Sequence, residues 1–329
     1  MSSRTLGTAE EAVAPDEAAV TAEFIKFLKA ASLERQKKTP GEPVRRFNQG
    51  RGAGCVEAEF IVPPDLPARL RVGLFAHPRT YRAVIRFANG TSKDDSEKDI
   101  RGMSFSVFDV PGANLTPGQT RQDFVLNSHP VMVAPDTKEF LALLRANEAG
   151  RARAALYFLS HPKLLRIALA SRRNHASHLQ IDYWSTTPYL FGEGHAVKYL
   201  ARPVDGASDD RTGKLPPTYL TDALRSHLEK REAAFDFMVQ FQKDPEKMPI
   251  EDATIEWKSE AVGIARIRIP AQKIEGAARV QACEEMVFNP WHCLAEHRPL
   301  GGMNRARREI YTALSQFRLG ATASASPVS

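Results

Sequence analysis

Residues 301–320 read GGMNRARREIYTALSQFRLG, and the interpretation of the whole chain starts from this stretch. Asn304 is a good helix N-cap and Gly320 a good C-terminal stop, so we predict a helix between them. The small, polar residues 321–329 have the composition of a disordered tail, and residues 1–15 that of a disordered N-terminus. We therefore expect the ordered chain to end in a helix.

Three side chains of this helix share one face. At 100° per residue, Arg307, Tyr311 and Arg318 lie within about 40° of one another. A phenol is a poor anion at neutral pH, but a guanidinium one turn away stabilises the phenolate form that a ferric ion requires of a tyrosine ligand. For this helix alone, an ordinary half-buried tyrosine with solvated arginines is the simpler interpretation.

Upstream of the helix, many short strands alternate with a few helices. Apolar residues at helical spacing predict helices over Asp16–Lys38, Lys138–Asn147, Arg151–Arg173 and Thr221–Arg231. Runs rich in Val, Ile and Phe predict strands over Cys55–Val62, Ala83–Ala88, Gly102–Val110, Phe124–Val133, Ala196–Ala201, Phe235–Gln242, Thr254–Trp257 and Ile264–Ile269. This pattern fits an α+β fold with an antiparallel barrel at its centre, in a single domain over residues 16–320.

Composition and charge narrow the classes of function. The chain is 43% hydrophobic and 26% charged, as globular proteins are, and no apolar run is long enough to cross a bilayer. The N-terminus lacks the layout of a secretory signal, so we expect a cytoplasmic protein. The net charge of +6 comes from basic residues spread along the chain without a nucleic-acid-binding motif, so no nucleic-acid partner is expected. Cys55, Cys283 and Cys293 form no close pair in the sequence, which favours unpaired thiols.

The C-terminal helix and three upstream segments together resemble the haem-dependent catalases. In this family Arg-x-x-x-Tyr is followed seven residues later by Arg-Leu-Gly, as it is here. The segments are VIRFANG (Val84–Gly90), DIRGMSFSVF (Asp99–Phe108), QDFVLNSHPVMV (Gln122–Val133) and VFNPWHCLAEHRPLGGMNRARREIY (Val287–Tyr311). Their order is that of the family, and the resemblance covers roughly residues 45–320. It implies a small catalase-like protein that binds haem b (iron protoporphyrin IX) within an antiparallel catalase-like β-barrel with a C-terminal haem-ligand helix.

The resemblance assigns one set of residues to binding of the cofactor. It implies that Tyr311 is the proximal iron ligand and that Arg307 is its hydrogen-bond partner. Arg46, Arg86 and Arg318 match the arginines that pair with the haem propionates, and two buried carboxylates do need such cations. Without the family, Arg86 would be read as an arginine at the rim of the barrel.

On the other side of the haem, the resemblance is less complete. Asn127 matches the distal asparagine, and Phe140 matches an aromatic residue that packs on the haem, although plain core packing is an equal interpretation for Phe140. Catalases have the distal histidine in an Arg-x-x-His-x-Lys-Gly run, where this chain reads RFNQGRG from Arg46 to Gly52. The histidine position is therefore Gln49. An alignment shifted by one residue would put Asn48 there instead.

This substitution decides which activity is expected. Rapid cleavage of hydrogen peroxide needs a group that accepts and returns a proton, which imidazole does near neutral pH and an amide does not. Gln49 and Asn127 can still donate hydrogen bonds to a bound oxygen, so both remain catalytic candidates. His129 would lie on the same strand face as Asn127, and it is the alternative source of a proton acceptor.

Three functions remain open at the level of the sequence. The first is a haem enzyme that converts organic hydroperoxides, such as those of fatty acids, or acts as an organic-peroxide-dependent peroxidase, with weak or no catalase activity. The second is a haem enzyme that acts as a Lewis acid or dehydratase on another small organic ligand, and the third is a non-catalytic haem carrier. The chain lacks the long arms through which catalases form tetramers, so we expect a homodimer or a monomer. No NADPH-binding motif is readable.

Overall fold

The computed structural model of the protein describes residues 7–39 and 44–325, and at its centre nine antiparallel strands form one sheet. The strands are β1 (Gly52–Val62), β2 (Arg79–Asn89), β3 (Arg101–Val107), β4 (Gln122–Asn127), β5 (Tyr183–Trp184), β6 (Tyr189–Leu190), β7 (Ala196–Pro203), β8 (Ala233–Phe241) and β9 (Ala261–Ile269). Their order is β5-β4-β3-β2-β1-β9-β8-β7-β6. Because β5 also pairs with β7, eight strands close into a barrel and β6 flanks β7.

Aromatic side chains fill the inside of the barrel. Phe60, Phe105, Phe124 and Phe237 are almost completely buried, and the ring centroids of Phe105 and Phe124 are 4.8 Å apart. An eight-stranded barrel encloses little more than the space its inward side chains need, so this interior is a packed core. A large ligand must therefore bind outside the barrel. The α+β class with a central antiparallel barrel is confirmed.

Seven α-helices surround the barrel in the described ranges 7–39 and 44–325. They are α1 (Glu17–Lys37), α2 (Thr137–Glu148), α3 (Arg151–Ser160), α4 (Pro162–Ser171), α5 (Tyr219–Leu228), α6 (Ala277–Glu285) and α7 (Gly302–Ala325). The apolar faces of α1, α2 and α7 pack together through Phe24, Leu28, Leu141, Ala306 and Ile310. Among the described residues, no helix combines the length and the apolar character that a membrane crossing needs.

Several predicted elements have different limits in the structure. The helix predicted over Arg151–Arg173 is two helices, because Pro162 has no N–H to continue α3 and instead begins α4. The strand predicted over Thr254–Trp257 is wrong: the side chain of Asp252 accepts a hydrogen bond from the backbone N–H of Thr254 and holds a turn there. Helix α6 was not predicted, since its sequence AARVQACEE has no apolar periodicity.

The prediction of unpaired thiols is wrong for two of the three cysteines. Cys55 on β1 and Cys283 on α6 form a disulfide, with their Cα atoms 5.9 Å apart and 228 positions between them in the sequence. Only Cys293 is free, and it is buried. Sequence spacing cannot reveal such a pair, because packing of α6 on β1 is what brings the two residues together. The cysteines therefore give no support to a reducing compartment.

Both ends of the chain differ from the disordered segments that we expected, as far as they are described. The N-terminal segment contacts the first turn of α7, where Arg305 pairs with Glu11 (2.5 Å), Glu17 (2.8 Å) and Glu251 (3.3 Å). At the other end, α7 starts two residues before Asn304 and continues to Ala325. Residues 1–6 and 326–329 lie outside the described residues.

Replacement of Arg305 tests whether this ion-pair network anchors α7. Arg305→Met removes the cation that three partly buried carboxylates share and leaves Arg298 with Glu11, and we expect the free energy of unfolding to fall by about 1.5–3 kcal/mol. Chemical denaturation measures the change. Arg308→Met is the matched control, because Arg308 is exposed on the same helix and its guanidinium contacts only the ring of Trp291. Equal losses for the two variants would contradict a specific anchoring role.

Candidate functional site

A cavity of about 690 Å³ lies between the outer face of the barrel and the helices α1, α2 and α7. A volume of this size suits a large organic ligand. All eight site residues that were predicted from the sequence line it: Arg46, Gln49, Arg86, Asn127, Phe140, Arg307, Tyr311 and Arg318. Residues more than 250 positions apart in the sequence thus meet in one place.

The barrel wall of the cavity is built by strand register. Arg86 on β2 lies opposite Ser104 on β3, which lies opposite Val125 on β4, so the three side chains form one row. A second row follows two residues along, where Gly102 lies opposite Asn127. The alternate positions of these strands point inward and fill the barrel, so these rows face the cavity.

The two distal candidates, Gln49 and Asn127, contact each other. The side-chain N–H of Gln49 donates a hydrogen bond to Oδ1 of Asn127, with 3.1 Å between the heavy atoms. Gln49 has a left-handed backbone with a φ of 54°, and its N–H donates to the carbonyl of Gly90. Gly102 leaves space for this side chain, because a Cβ there would lie 2.3 Å from Nε2 of Gln49 and the Gln49 amide would have to move. The pair therefore presents amide groups, and no other polar function, to the cavity.

No histidine lines the cavity within the described part of the chain. The strand predicted over Phe124–Val133 ends at Asn127, so the alternation that would put His129 beside Asn127 does not continue. His129 is not among the residues that line the cavity, and burial lowers its pKa. Asp99, which the sequence analysis missed, does line the cavity, but the backbone N–H groups of Thr91, Ser92 and Ile100 already donate to its carboxylate.

The opposite wall carries Tyr311, which is half-buried on α7. The guanidinium of Arg307 is buried and donates to Oγ1 of Thr187 (2.9 Å) and Oδ1 of Asn304 (3.1 Å). Among the described residues no hydrogen bond joins Arg307 to the Tyr311 hydroxyl, which differs from the expectation. A buried guanidinium needs fixed acceptors, and Thr187 and Asn304 supply them.

Phe140 on α2 belongs to the apolar part of the cavity wall. Its ring packs edge-on against Phe24, with 5.7 Å between the centroids, and it also contacts the cluster around Met132 and Met303. Both interpretations of Phe140 therefore agree with its position, since it takes part in core packing and lines the cavity.

Three arginines meet at one end of the cavity, around a residue that the sequence analysis missed. Glu284 on α6 pairs with Arg46 (2.5 Å) and Arg86 (3.2 Å), and its backbone carbonyl accepts a hydrogen bond from Arg318. Burial raises the pKa of Glu284, but Arg86 and Arg46 outweigh it and hold the pKa below its usual value. Burial, followed by the charges of Arg86 and Arg318, lowers the pKa of Arg46 to about 9. Nε of Arg86 is buried and has no hydrogen-bond partner in the part of the chain that the structure describes. This end of the cavity can thus accept more negative charge than Glu284 provides.

The comparisons with known proteins agree with the arrangement of barrel and helices. No family model matches the chain. It is 26% identical over 259 residues to a catalase-related peroxidase of Mycolicibacterium paratuberculosis, a match that covers 73% of this chain and 79% of the relative. Its fold is similar to that of a bacterial catalase (TM-score 0.68, 13% identity) over 97% of this chain, and to that of a fungal catalase (TM-score 0.62, 15% identity) over 91%. The chain spans 64% and 63% of the lengths of these two catalases. The catalase-like barrel expected from the resemblance is confirmed.

The close contact between Gln49 and Gly102 provides a test of the cavity wall formed by Gln49 and Asn127, here called the distal wall. In Gly102→Ala the new methyl group displaces the Gln49 side chain and breaks its hydrogen bond to Asn127, which should cost about 0.5–1.5 kcal/mol of unfolding free energy. Shifts of the side-chain amide resonances of both residues by NMR would show the displacement. Gly263→Ala on β9 is the control, because open space surrounds that position. Unmoved amide resonances in Gly102→Ala would show that Gln49 is not packed on Gly102.

Proposed function

We propose that this chain, which belongs to the catalase-like superfamily, is a haem enzyme that transforms organic hydroperoxides and has weak or no catalase activity. The observation that carries the proposal is the composition of the cavity, which has a tyrosine on one wall and the paired amides of Gln49 and Asn127, with no histidine among the described lining residues, on the other. The arginine cluster at its end adds a site for carboxylates.

The residues present fit haem b, which carries two carboxylates on a flat apolar ring. Arg46, Arg86 and Arg318 bring three guanidinium groups to one end of the cavity, and the buried Nε of Arg86, which has no hydrogen-bond partner among the described residues, is a donor for a further acceptor. The apolar side chains of Leu28, Phe140, Val125 and Ile310 are among those that line the walls. When bound, haem would supply a ferric iron that can cleave an O–O bond.

On the proximal side, Tyr311 is the residue that would hold the iron. It lies on α7 between Ala306–Arg307 and Leu314, which line the same wall, so a planar ring in the cavity would have the phenol on one face. The buried guanidinium of Arg307 lies one turn earlier on the same helix. Because Thr187 and Asn304 hold that guanidinium, its charge stays near the wall with or without a ligand.

On the distal side, Gln49 and Asn127 would orient the peroxide and stabilise negative charge on its oxygens. The Gln49 side chain donates to Asn127 Oδ1, and this bond does not use the side-chain N–H groups of Asn127, which could donate to a molecule in the cavity. Neither amide exchanges a proton near neutral pH, and no histidine among the lining residues does so for them. Fast dismutation of hydrogen peroxide is therefore unexpected.

The entrance to the cavity suits a long apolar substrate with an anionic end. Phe158 on α3, and Leu165 and Leu169 on α4, line it, and the side chain of Leu169 is two-thirds exposed. The segment 151–173 around them contains five arginines, one lysine and no acidic residue. Such a segment favours a carboxylate that approaches from solvent. The hydroperoxide of a fatty acid has both features.

Tyr311→Phe tests the proximal ligand. Removal of the phenol oxygen should abolish tight haem binding or shift the Soret band, because a ferric iron would lose its oxygen ligand on α7. Absorbance titration of the purified protein with haem measures both effects. Tyr219→Phe is the control, since Tyr219 donates to the carbonyl of His175 outside the cavity. An unchanged spectrum in Tyr311→Phe would contradict iron ligation by this residue.

Gln49→His tests the distal assignment and the activity together. The imidazole restores a proton acceptor, so turnover of hydrogen peroxide should rise by about 10²–10⁴-fold. The unmodified haem-loaded protein should consume a fatty-acid hydroperoxide faster than hydrogen peroxide in the same assay.

Asn48→His is the matched control, because Asn48 lines the cavity one residue earlier. If Asn48→His gave the larger rise, the distal position would be residue 48. If the unmodified protein left every organic hydroperoxide and oxidisable donor unchanged, the proposed activity would be wrong.

A further inference from the structure

The arginine cluster is already occupied by the chain itself. Nη1 of Arg46 contacts Oε2 of Glu284, and Nη2 of Arg46 donates to the carbonyls of Cys283 (3.2 Å), Glu284 (3.2 Å) and Met286 (2.7 Å). Arg318 donates to the carbonyls of Glu284 and Met286. Residues 283–286 thus accept hydrogen bonds from guanidinium groups that two haem propionates would need as donors.

A covalent bond keeps this segment in place. Cys283, next to Glu284, is joined to Cys55, and Cys55 is the residue directly opposite Arg86 in the pairing of β1 with β2. Opposite residues of antiparallel strands have their side chains on the same face. The disulfide therefore brings Glu284 to Arg86 and holds it there.

Apart from hydrogen bonds made by Arg46, Arg318 and Arg279, α6 has little apolar contact with the rest of the chain among the described side chains. Val280 is 60% exposed, and Gln281 and Glu285 face solvent, so Cys283 is the buried apolar anchor among the described side chains of the helix. The Glu284 side chain is itself 36% exposed, which means that it can move into water without crossing the core. Without the disulfide, little apolar burial would oppose a displacement of α6.

We propose that Glu284 is a displaceable internal anion that occupies the propionate site, and that the Cys55–Cys283 disulfide strengthens its hold, so that the oxidised chain binds haem more weakly than the reduced chain. The inference rests on the proposed haem-binding function. A dithiol would supply the two electrons and two protons: its two S–H groups become a disulfide, the Cys55–Cys283 S–S bond breaks, and both cysteines become thiols.

The consequence is a coupling between the redox state of the cysteines and the affinity for haem. The disulfide lowers the entropy cost of placing Glu284 among the arginines, and its reduction removes that advantage. Couplings between two sites in proteins are commonly worth about 5- to 150-fold in affinity. We expect the reduced chain to bind haem more tightly by a factor in this range.

Absorbance titration of the full chain with haem tests the coupling. Cys55→Ser/Cys283→Ser is used in place of the reduced state, because free thiol reagents can themselves ligate iron. Its haem affinity should exceed that of the oxidised chain by about 5- to 150-fold. Glu284→Gln should bind as tightly as the double serine variant, and adding the serine substitutions to Glu284→Gln should change nothing further. Glu285→Gln, at the exposed neighbouring position, should keep the full dependence on the disulfide.

A second ligand separates competition for the propionate site from a general loosening of the fold. Iron protoporphyrin dimethyl ester has no propionate charges, so its affinity should not depend on the disulfide or on Glu284. The coupling is overturned if haem affinity is equal with and without the disulfide, if the effect persists in Glu284→Gln, or if the ester shows it as well. Circular dichroism verifies that each variant is folded. Failure of every variant, and of the unmodified chain, to bind haem would overturn the proposed function together with this inference.

Discussion

The filled interior of the barrel is the constraint on which the rest of the structure depends. Because Phe60, Phe105, Phe124 and Phe237 take the inward positions, strands β1–β4 must present any ligand-binding side chains on their outer face. A wall of strands alone cannot enclose a ligand, so helices have to cover it. The helices α1, α2 and α7 do this, and the cavity is the space that their side chains leave above the sheet.

Fixed cations organise both ends of α7. At its start Arg305 ties the helix to the N-terminal segment, and one turn before Tyr311 the buried Arg307 is held by Thr187 and Asn304. Near its end Arg318 donates to the segment after α6. Each guanidinium has acceptors from a different part of the chain, so the position of the helix is determined along its length. A tyrosine on such a helix has a defined distance to the opposite wall, which a metal ligand requires.

The sequence predicted those features of the fold and the candidate site that depend on a local pattern of residues. Alternation and helical periodicity predicted most strands and helices, and the resemblance put eight residues at one cavity, where the structure has them. It was uninformative where distant segments meet. Nothing in the neighbourhood of Glu284, in the spacing of Cys55 and Cys283, or in the charge of Glu11 shows which partner each will find. The two-residue strand β5 (Tyr183–Trp184) is too short to have any period at all.

The short strand β5 also closes the barrel, because it pairs with both β4 and β7. Strand β5 aligns with β7 over two residue pairs and with β4 through Asn127 and Trp184 alone, whereas the other paired strands of the ring align over at least three. A ladder this short is the part of a closed sheet that opens at the lowest free energy. Asn127, one of the two amides of the distal wall, therefore lies at the shortest strand pairing of the barrel, between β4 and β5. A local opening between β4 and β5 would, for this reason, also displace Asn127 and change the shape of the cavity wall beside Gln49.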